Sequence, residues 1–279
     1  MYINISIVIL FPNAKINLGL HILSRRMDGY HNIETQMIET GFCDILEFIN
    51  SPNEKTELRL SGLPVTGETD ENSVIRAWKI LHEKHAIPAI KIHLHKIIPQ
   101  GAGLGGGSAD AAFMLIGLND YFKLNLTKSR LKQYASLLGS DCSFFIDNKP
   151  VLACGRGDFL TPTPKFIENH WLCIFYPGFE VSTADAYSAV TPAAGRLDLI
   201  DVLFMKIPHW KKMLVNDFES TVFSQNPAIA EIKQQIYNSG AVYSSMSGSG
   251  SSVFGIYAEK PVLNDELRKW LVWEERVSG

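Results

Sequence analysis

The chain has 279 residues, 46% of them hydrophobic and 20% charged, enough apolar material for one large core or two modest ones. Lys and Arg total 26 against 29 Asp and Glu, a net charge of −3 with no polybasic stretch, which argues against a nucleic-acid partner. The four cysteines, Cys43, Cys142, Cys154 and Cys173, form no CxxC pair and no zinc spacing, so they read as structural thiols of a reducing compartment.

The first apolar run, Ile5–Phe11, is too short to span a bilayer and lacks a basic leader and a small-residue cleavage site. It is expected to be a buried strand stopped by Pro12, and the protein to be cytoplasmic, with no membrane partner. Asp44–Ile49 and Glu57–Leu60 read as further strands. In Asn72–His85 the residues Val74, Ala77, Trp78, Leu81 and His85 recur at helical spacing, and Pro88 follows. "AIKIHLHKI" alternates strictly, with Ile90, Ile92 and Leu94 on one face and Lys91, His93 and His95 on the other, the pattern of a half-buried strand. With no carboxylate or cysteine nearby in sequence, His93 and His95 read as its solvent face rather than as metal ligands.

Pro99 ends that strand and opens "PQGAGLGGGSADAA". Ser108 is expected to cap a buried helix running to about Phe122, with Asp110 in its first turn. Thr127 is expected to cap a second helix, ended by Gly139, with Asp141 just beyond. "GRGDFLTPTP", Gly155–Pro164, has the turn formers of a linker and suggests a domain boundary, giving domains 1–158 and 159–279. The second half mixes strands ("WLCIFY", "SVFGIY") with a helix ("AIAEIKQQIYNSG") and a small-residue run, "SSMSGSGSS".

The glycine run satisfies GxGxxG literally, but it lacks the βαβ setting and the acidic residue of a dinucleotide site. It nearly fits a Walker A loop, with Gly107 where the lysine belongs. What remains is an anion cradle. Glycines let several N–H groups converge on phosphate oxygens, and the following helix adds its dipole. The missing positive charge must come from elsewhere.

Three stretches taken together, "PNAKINLGLHILSRRMDGYHNIET", the glycine run and "YSSMSGSGSSVFGIY", resemble in order and spacing the three motifs of the GHMP kinases. "PGFEVSTADAY" and "NDFE" extend the likeness, and "RRMDGYHNIET" resembles the branch of the family that acts on 4-(cytidine 5′-diphospho)-2-C-methyl-D-erythritol. The resemblance implies an α+β, two-domain fold: an N-terminal ATP-binding α/β domain, a C-terminal ferredoxin-like domain, and the active site in the cleft between them. It implies a kinase that uses ATP and Mg²⁺ to phosphorylate the 2-hydroxyl of that substrate in non-mevalonate isoprenoid biosynthesis, as a monomer or weak homodimer. A kinase for mevalonate, homoserine or a sugar, and a catalytically dead nucleotide sensor, are the alternatives.

Lys15 and Asp141 match the family's catalytic pair, and Asn17 a residue near the reacting hydroxyl, although Asn17 reads equally as a turn asparagine. Tyr30 and Tyr187 match two aromatic positions that sandwich the cytosine, His31 the residue that reads its edge, and Thr183 a contact to ribose or diphosphate. Pro99, Gly101, Gly103, Leu104, Gly105, Gly106, Gly107, Ser108 and Ala109 match the ATP loop, with the Ser108 hydroxyl a candidate contact for Mg²⁺. Gly248, Ser249 and Gly250 belong to the third motif, the Met246–Ser252 segment near the substrate. Two departures stand out: Ala109 replaces a second serine, and Ser143 replaces a proline.

Overall fold

The computed structural model describes residues 7–188, 190–192 and 196–278. They form two compact units, neither contiguous in sequence: residues 7–14, 42–100 and 105–148 in the first, and 15–41, 101–104 and the described part of 149–279 in the second. A cut at 158/159 therefore falls within the second unit.

In the first unit a four-stranded sheet has the order β1 (Val8–Leu10), β4 (Ile45–Asn50), β6 (Ile90–Lys96), β5 (Glu57–Gly62), with β5 parallel to β6 and the other pairs antiparallel. Of the run Ile5–Phe11, Val8–Leu10 forms the strand, but as an edge strand it is not buried as expected, with Ile9 48% exposed; Ile5 and Ser6 lie outside the described residues. The alternation in β6 holds: Ile90, Ile92 and Leu94 are buried and Lys91, His93 and His95 half-buried. On the latter face the Ser61 hydroxyl bonds both His93 Nε2 (2.8 Å) and His95 Nδ1 (2.9 Å).

Four helices complete this unit: α1 (Ser73–His85), α2 (Gly106–Tyr121), α3 (Lys128–Ala135) and α4 (Cys142–Asp147). Asn72 caps α1 by accepting the Val74 N–H, and Ala86 ends it in the left-handed region. Helix α2 is apolar nearly all round and lies close on the sheet because Gly117 has no side chain; a Cβ there would come within 2.6 Å of Leu10 Cδ1. Leu115, Leu118, Phe144 and Phe145 fill the core, and truncating one of them to Ala should cost about 2–5 kcal/mol.

Three expectations need correction here. Helix α2 starts two residues before Ser108, with Gly105 at its cap in the left-handed conformation that glycine adopts without strain. Asp110 is accordingly not a dipole partner at the helix start but a buried residue further in. Thr127 does cap α3, through the Arg130 N–H, but that helix ends at Ala135 rather than at Gly139.

The second unit holds two sheets. One has the order β2 (Asn13–Arg25), β3 (His31–Cys43), β7 (Val151–Gly155), β8 (Phe159–Pro162). "GRGDFLTPTP" is thus not a linker: it is the turn and outer strand of the β7–β8 hairpin, its corner made by Gly155 and Gly157 at positive φ. The other is the antiparallel sheet β10 (Tyr243–Met246), β11 (Val253–Tyr257), β9 (Trp171–Phe175), β12 (Leu271–Arg276).

Between β9 and β10 come α5 (Thr183–Ser188), α6 (Leu199–Leu203), α7 (Ile207–Met213), α8 (Phe218–Gln225) and α9 (Pro227–Asn238); α10 (Asp265–Arg268) precedes β12. A βαββαβ path with the spatial order fourth, first, third, second strand is the ferredoxin-like arrangement. Helix α9, opened by Pro227, turns Ile229, Ile232 and Ile236 onto this sheet at helical spacing.

Candidate active site

In the second unit the hairpin strand β2 presents Lys15 and Asn17 from the same side, two residues apart. Both are at most 3% exposed. Lys15 Nζ donates to Asn17 Oδ1 and, at 3.1 Å, to the carbonyl of Gly103. Asn17 Nδ2 donates to Thr35 Oγ1 (3.0 Å), whose own hydroxyl donates to the Gly19 carbonyl. The proton on Thr35 is thereby committed, which fixes the Asn17 amide with its oxygen toward the ammonium.

The glycine run is tied in at the same place. The Lys15 N–H bonds the Leu104 carbonyl (2.9 Å), and Leu104 is buried like a plug. Gly103 has φ +75°, and a Cβ there would overlap the Ser247 carbonyl oxygen, so only glycine fits. The Ser247 hydroxyl donates to the Gly103 carbonyl (2.9 Å) and accepts the Asn17 N–H (3.2 Å). The Ser252 N–H bonds the Ala102 carbonyl, and Asn216 Nδ2 bonds the carbonyls of Met246 and Gly248, each at 2.8 Å. The segment Met246–Ser252 is therefore a built loop, with Ser247, Ser251 and Ser252 fully buried and Gly248 and Gly250 at positive φ.

The base-recognition candidates lie in this unit as well. His31 stacks on Tyr187, ring centroids 5.1 Å apart and planes at 20°. Tyr187 in turn meets the edge of Phe218. Tyr30, 58% exposed, lies beneath the Arg156 guanidinium at 5.1 Å, so here the His31 ring rather than Tyr30 is the partner of Tyr187. Thr183 Oγ1 bonds Ser249 Oγ at 2.9 Å.

The first unit carries the rest of the run. The first helical bond of α2 goes from the Ala109 N–H to the Gly105 carbonyl, so the N–H groups of Gly106, Gly107 and Ser108 have no acceptor within the helix. They form the positive end of a 16-residue dipole, suited to an anion. Gly107 is exposed with open space around it, whereas Ala109 faces the core and Pro99 is buried.

Ser108 shares a side-chain hydrogen bond with Cys142, whose thiol burial pushes up to about 11. That contact sets the start of α2 beside Asp141, the half-buried residue that heads α4. Ser143, in place of the proline, bonds the Lys132 carbonyl and so ties α4 to α3. Among the described residues no group of three or more His, Cys, Asp or Glu side chains could hold a metal. Among the described residues no disulfide joins the cysteines, and no helix is long and apolar enough to cross a membrane.

Sequence reasoning missed the buried cluster behind this helix start. Lys96 Nζ donates to Asp44 Oδ2 and to Asp110 Oδ2 (2.7 Å), all three residues at most 5% exposed. Asp44 Oδ1 also accepts the N–H groups of Ile97 and Ile98 (2.8 Å to Ile98). Burial pushes the Asp110 carboxyl up to about 7 against the pull of the Lys96 ammonium. Burial works to lower the Lys96 pKa, but the charges of Asp110 and Asp44 outweigh it and leave it raised. A signal was present: the alternation that buries Ile90, Ile92 and Leu94 puts Lys96 next on the buried face, where a lysine needs an anion.

A strand lysine and asparagine, a lysine-free glycine segment running into a helix, and a glycine–serine loop in a ferredoxin-like unit together define a small-molecule kinase of the GHMP type. The sequence matches the models of the GHMP kinases N terminal domain over residues 72–149 and of the GHMP kinases C terminal over residues 207–271. It is 46% identical over 274 residues to a 4-diphosphocytidyl-2-C-methyl-D-erythritol kinase of Parabacteroides distasonis, covering 97% of this chain and 100% of that one. A protein of the same name from Bacteroides fragilis is 46% identical over 90% of this chain and 92% of its own. A crystal structure of 4-(cytidine 5′-diphospho)-2C-methyl-D-erythritol kinase superposes with a TM-score of 0.78 at 29% identity, over 96% of this chain and 98% of that one. A homoserine kinase from Cytophaga hutchinsonii, at 16% identity, 89% and 85% coverage and a TM-score of 0.64, shares the fold. The chain belongs to the GHMP kinase family and, within it, to the 4-diphosphocytidyl-2-C-methyl-D-erythritol kinases.

Proposed function

We propose that the chain transfers the γ-phosphoryl group of ATP to the 2-hydroxyl of 4-(cytidine 5′-diphospho)-2-C-methyl-D-erythritol, in the cytoplasm, as a monomer or weak homodimer. The observation that carries this reading is the Lys15–Asn17–Gly103–Ser247 network, in which all three motif segments meet through hydrogen bonds. Loss of that convergence would leave a glycine loop and a lysine with no common purpose.

The residues act as follows. N–H groups at the start of α2 take the phosphates. The substrate hydroxyl attacks the γ-phosphorus, its proton passes to Asp141, and the bond to the β-phosphate breaks to release ADP. Lys15, oriented by Asn17 and Gly103, stabilises the charge developing on the transferred group. His31 and Tyr187 hold the cytosine, with Tyr30 on its other side, and Thr183 contacts the sugar-diphosphate part. Among the described residues no cluster of His, Cys, Asp or Glu supplies a metal site, and the donors that fit Mg²⁺ are the triphosphate oxygens and the Ser108 hydroxyl. When bound, the ion neutralises phosphate charge.

A coupled assay of ADP release tests the proposal. Turnover with the cytidyl substrate and none with mevalonate or homoserine is expected; preference for either control would overturn the substrate, and no ATP turnover at all would overturn the activity.

A further inference from the structure

The glycine run has no lysine of its own, yet a buried lysine sits directly behind it. A Cβ at Gly106 would lie 3.3 Å from Lys96 Nζ and 2.9 Å from Ile98 Cγ2, so Lys96 abuts the first turn of α2. Its two carboxylate partners lie on opposite sides of the run in sequence. Asp44 holds the N–H groups of Ile97 and Ile98, the residues that lead into the run. Asp110 is on α2, one turn past the free N–H groups. The entry and the exit of the run are thus fastened to one ammonium.

The cluster is expensive to bury. Two carboxylates face one ammonium, and Asp110 Oδ1 has no partner in the protein. An apolar trio of similar volume would hold the fold at least as well. What such a trio lacks is directional geometry, because charge-assisted hydrogen bonds fix where Gly106 lies relative to Ile98. The donors of Gly106, Gly107 and Ser108 are useful only if they are aimed before the nucleotide arrives.

We infer that the Asp44–Lys96–Asp110 cluster is a brace that aims the N-terminal donors of α2 at the triphosphate, with Lys96 and Asp110 as positioning residues for ATP. This rests on the reading of the run as the ATP phosphate cradle.

Asp110→Ala is the test, because it leaves Lys96 and Asp44 as a balanced pair and so should leave the protein folded. The expected result is a KM for ATP raised about tenfold, the scale of one lost well-placed hydrogen bond, with the KM for the cytidyl substrate within twofold of wild type. Asp110→Asn keeps an acceptor for Lys96 and should restore most of the ATP affinity. Should Asp110→Ala not fold, Lys96→Arg keeps every charge while its larger head displaces the turn at Gly106, and it should show the same ATP-selective loss.

An unchanged KM for ATP in either folded variant, or an equal rise for both substrates, overturns the brace. A separate control isolates the underlying reading: Gly107 has open space around its would-be Cβ, so Gly107→Leu should fold and block phosphate binding. If Gly107→Leu weakens ATP and Asp110→Ala does not, the cradle stands and the brace falls; if Gly107→Leu leaves ATP unaffected, the cradle reading itself fails.

Discussion

Among the described residues two lysines are almost fully buried, Lys15 at 3% and Lys96 at 5% exposure, and they sit in different surroundings. Lys15 donates to the Asn17 amide oxygen and to the Gly103 carbonyl, groups of the first and second motif segments that help to aim its ammonium. Lys96 is gripped by two carboxylates, which cancel it outright. The first lies where the motif segments meet, as a charge acting on phosphate must; the second lies behind the glycine run and suits a charge that holds its surroundings still. Burial alone does not separate the two roles, but the place of each lysine relative to the motif segments does.

Removing each lysine should break the protein differently. Lys15→Met is expected to lower kcat by at least about 10³-fold, as for loss of a group that stabilises transition-state charge, with the melting temperature near wild type. Asp141→Asn should match it. Lys96→Met leaves two carboxylates without a counter-charge and should cost about 3–5 kcal/mol of stability, measured by urea unfolding. If Lys15→Met unfolds and Lys96→Met remains as stable as wild type, the contrast is wrong.

Smaller effects sharpen the same comparison. Tyr30→Ala should raise the KM for the cytidyl substrate about tenfold while leaving that for ATP alone, as expected for loss of one stacking face; equal changes would exclude stacking. The pH dependence of stability should report the Lys96 cluster. Because the folded-state Asp110 carboxyl is raised from 3.8 to about 7, its proton is bound more tightly in the folded protein. Its contribution is complete below pH 4 and is lost as pH rises toward 7. Asp110→Asn lacks that loss, so its stability relative to wild type should improve as pH rises from about 4 to 7, read from urea midpoints.

Much of this was legible in the residues. The period of β6, the helix α1 and the cap of α3 follow directly from spacing and side-chain type. The long hairpin of β2 and β3 was not read as strands, since both are buried on both faces for much of their length and show little alternation. "GRGDFLTPTP" looked like a linker because a tight hairpin uses the same turn residues. The kinase motifs named Lys15 and the glycine run, but not what orients them: Thr35, Ser247 and Asn216 lie far apart in sequence and meet only in the fold. Asp110 reads in the sequence as a helix-dipole partner and Asp44 as the start of a strand; their meeting at Lys96 shows only in the fold.

The most direct test is single-turnover phosphoryl transfer by Lys15→Met, at saturating ATP and cytidyl substrate, compared with the wild type. Both ligands should bind as before while the chemical step slows by at least about 10³-fold. Transfer within tenfold of wild type would contradict the assignment of Lys15 as the charge aimed at the moving phosphate.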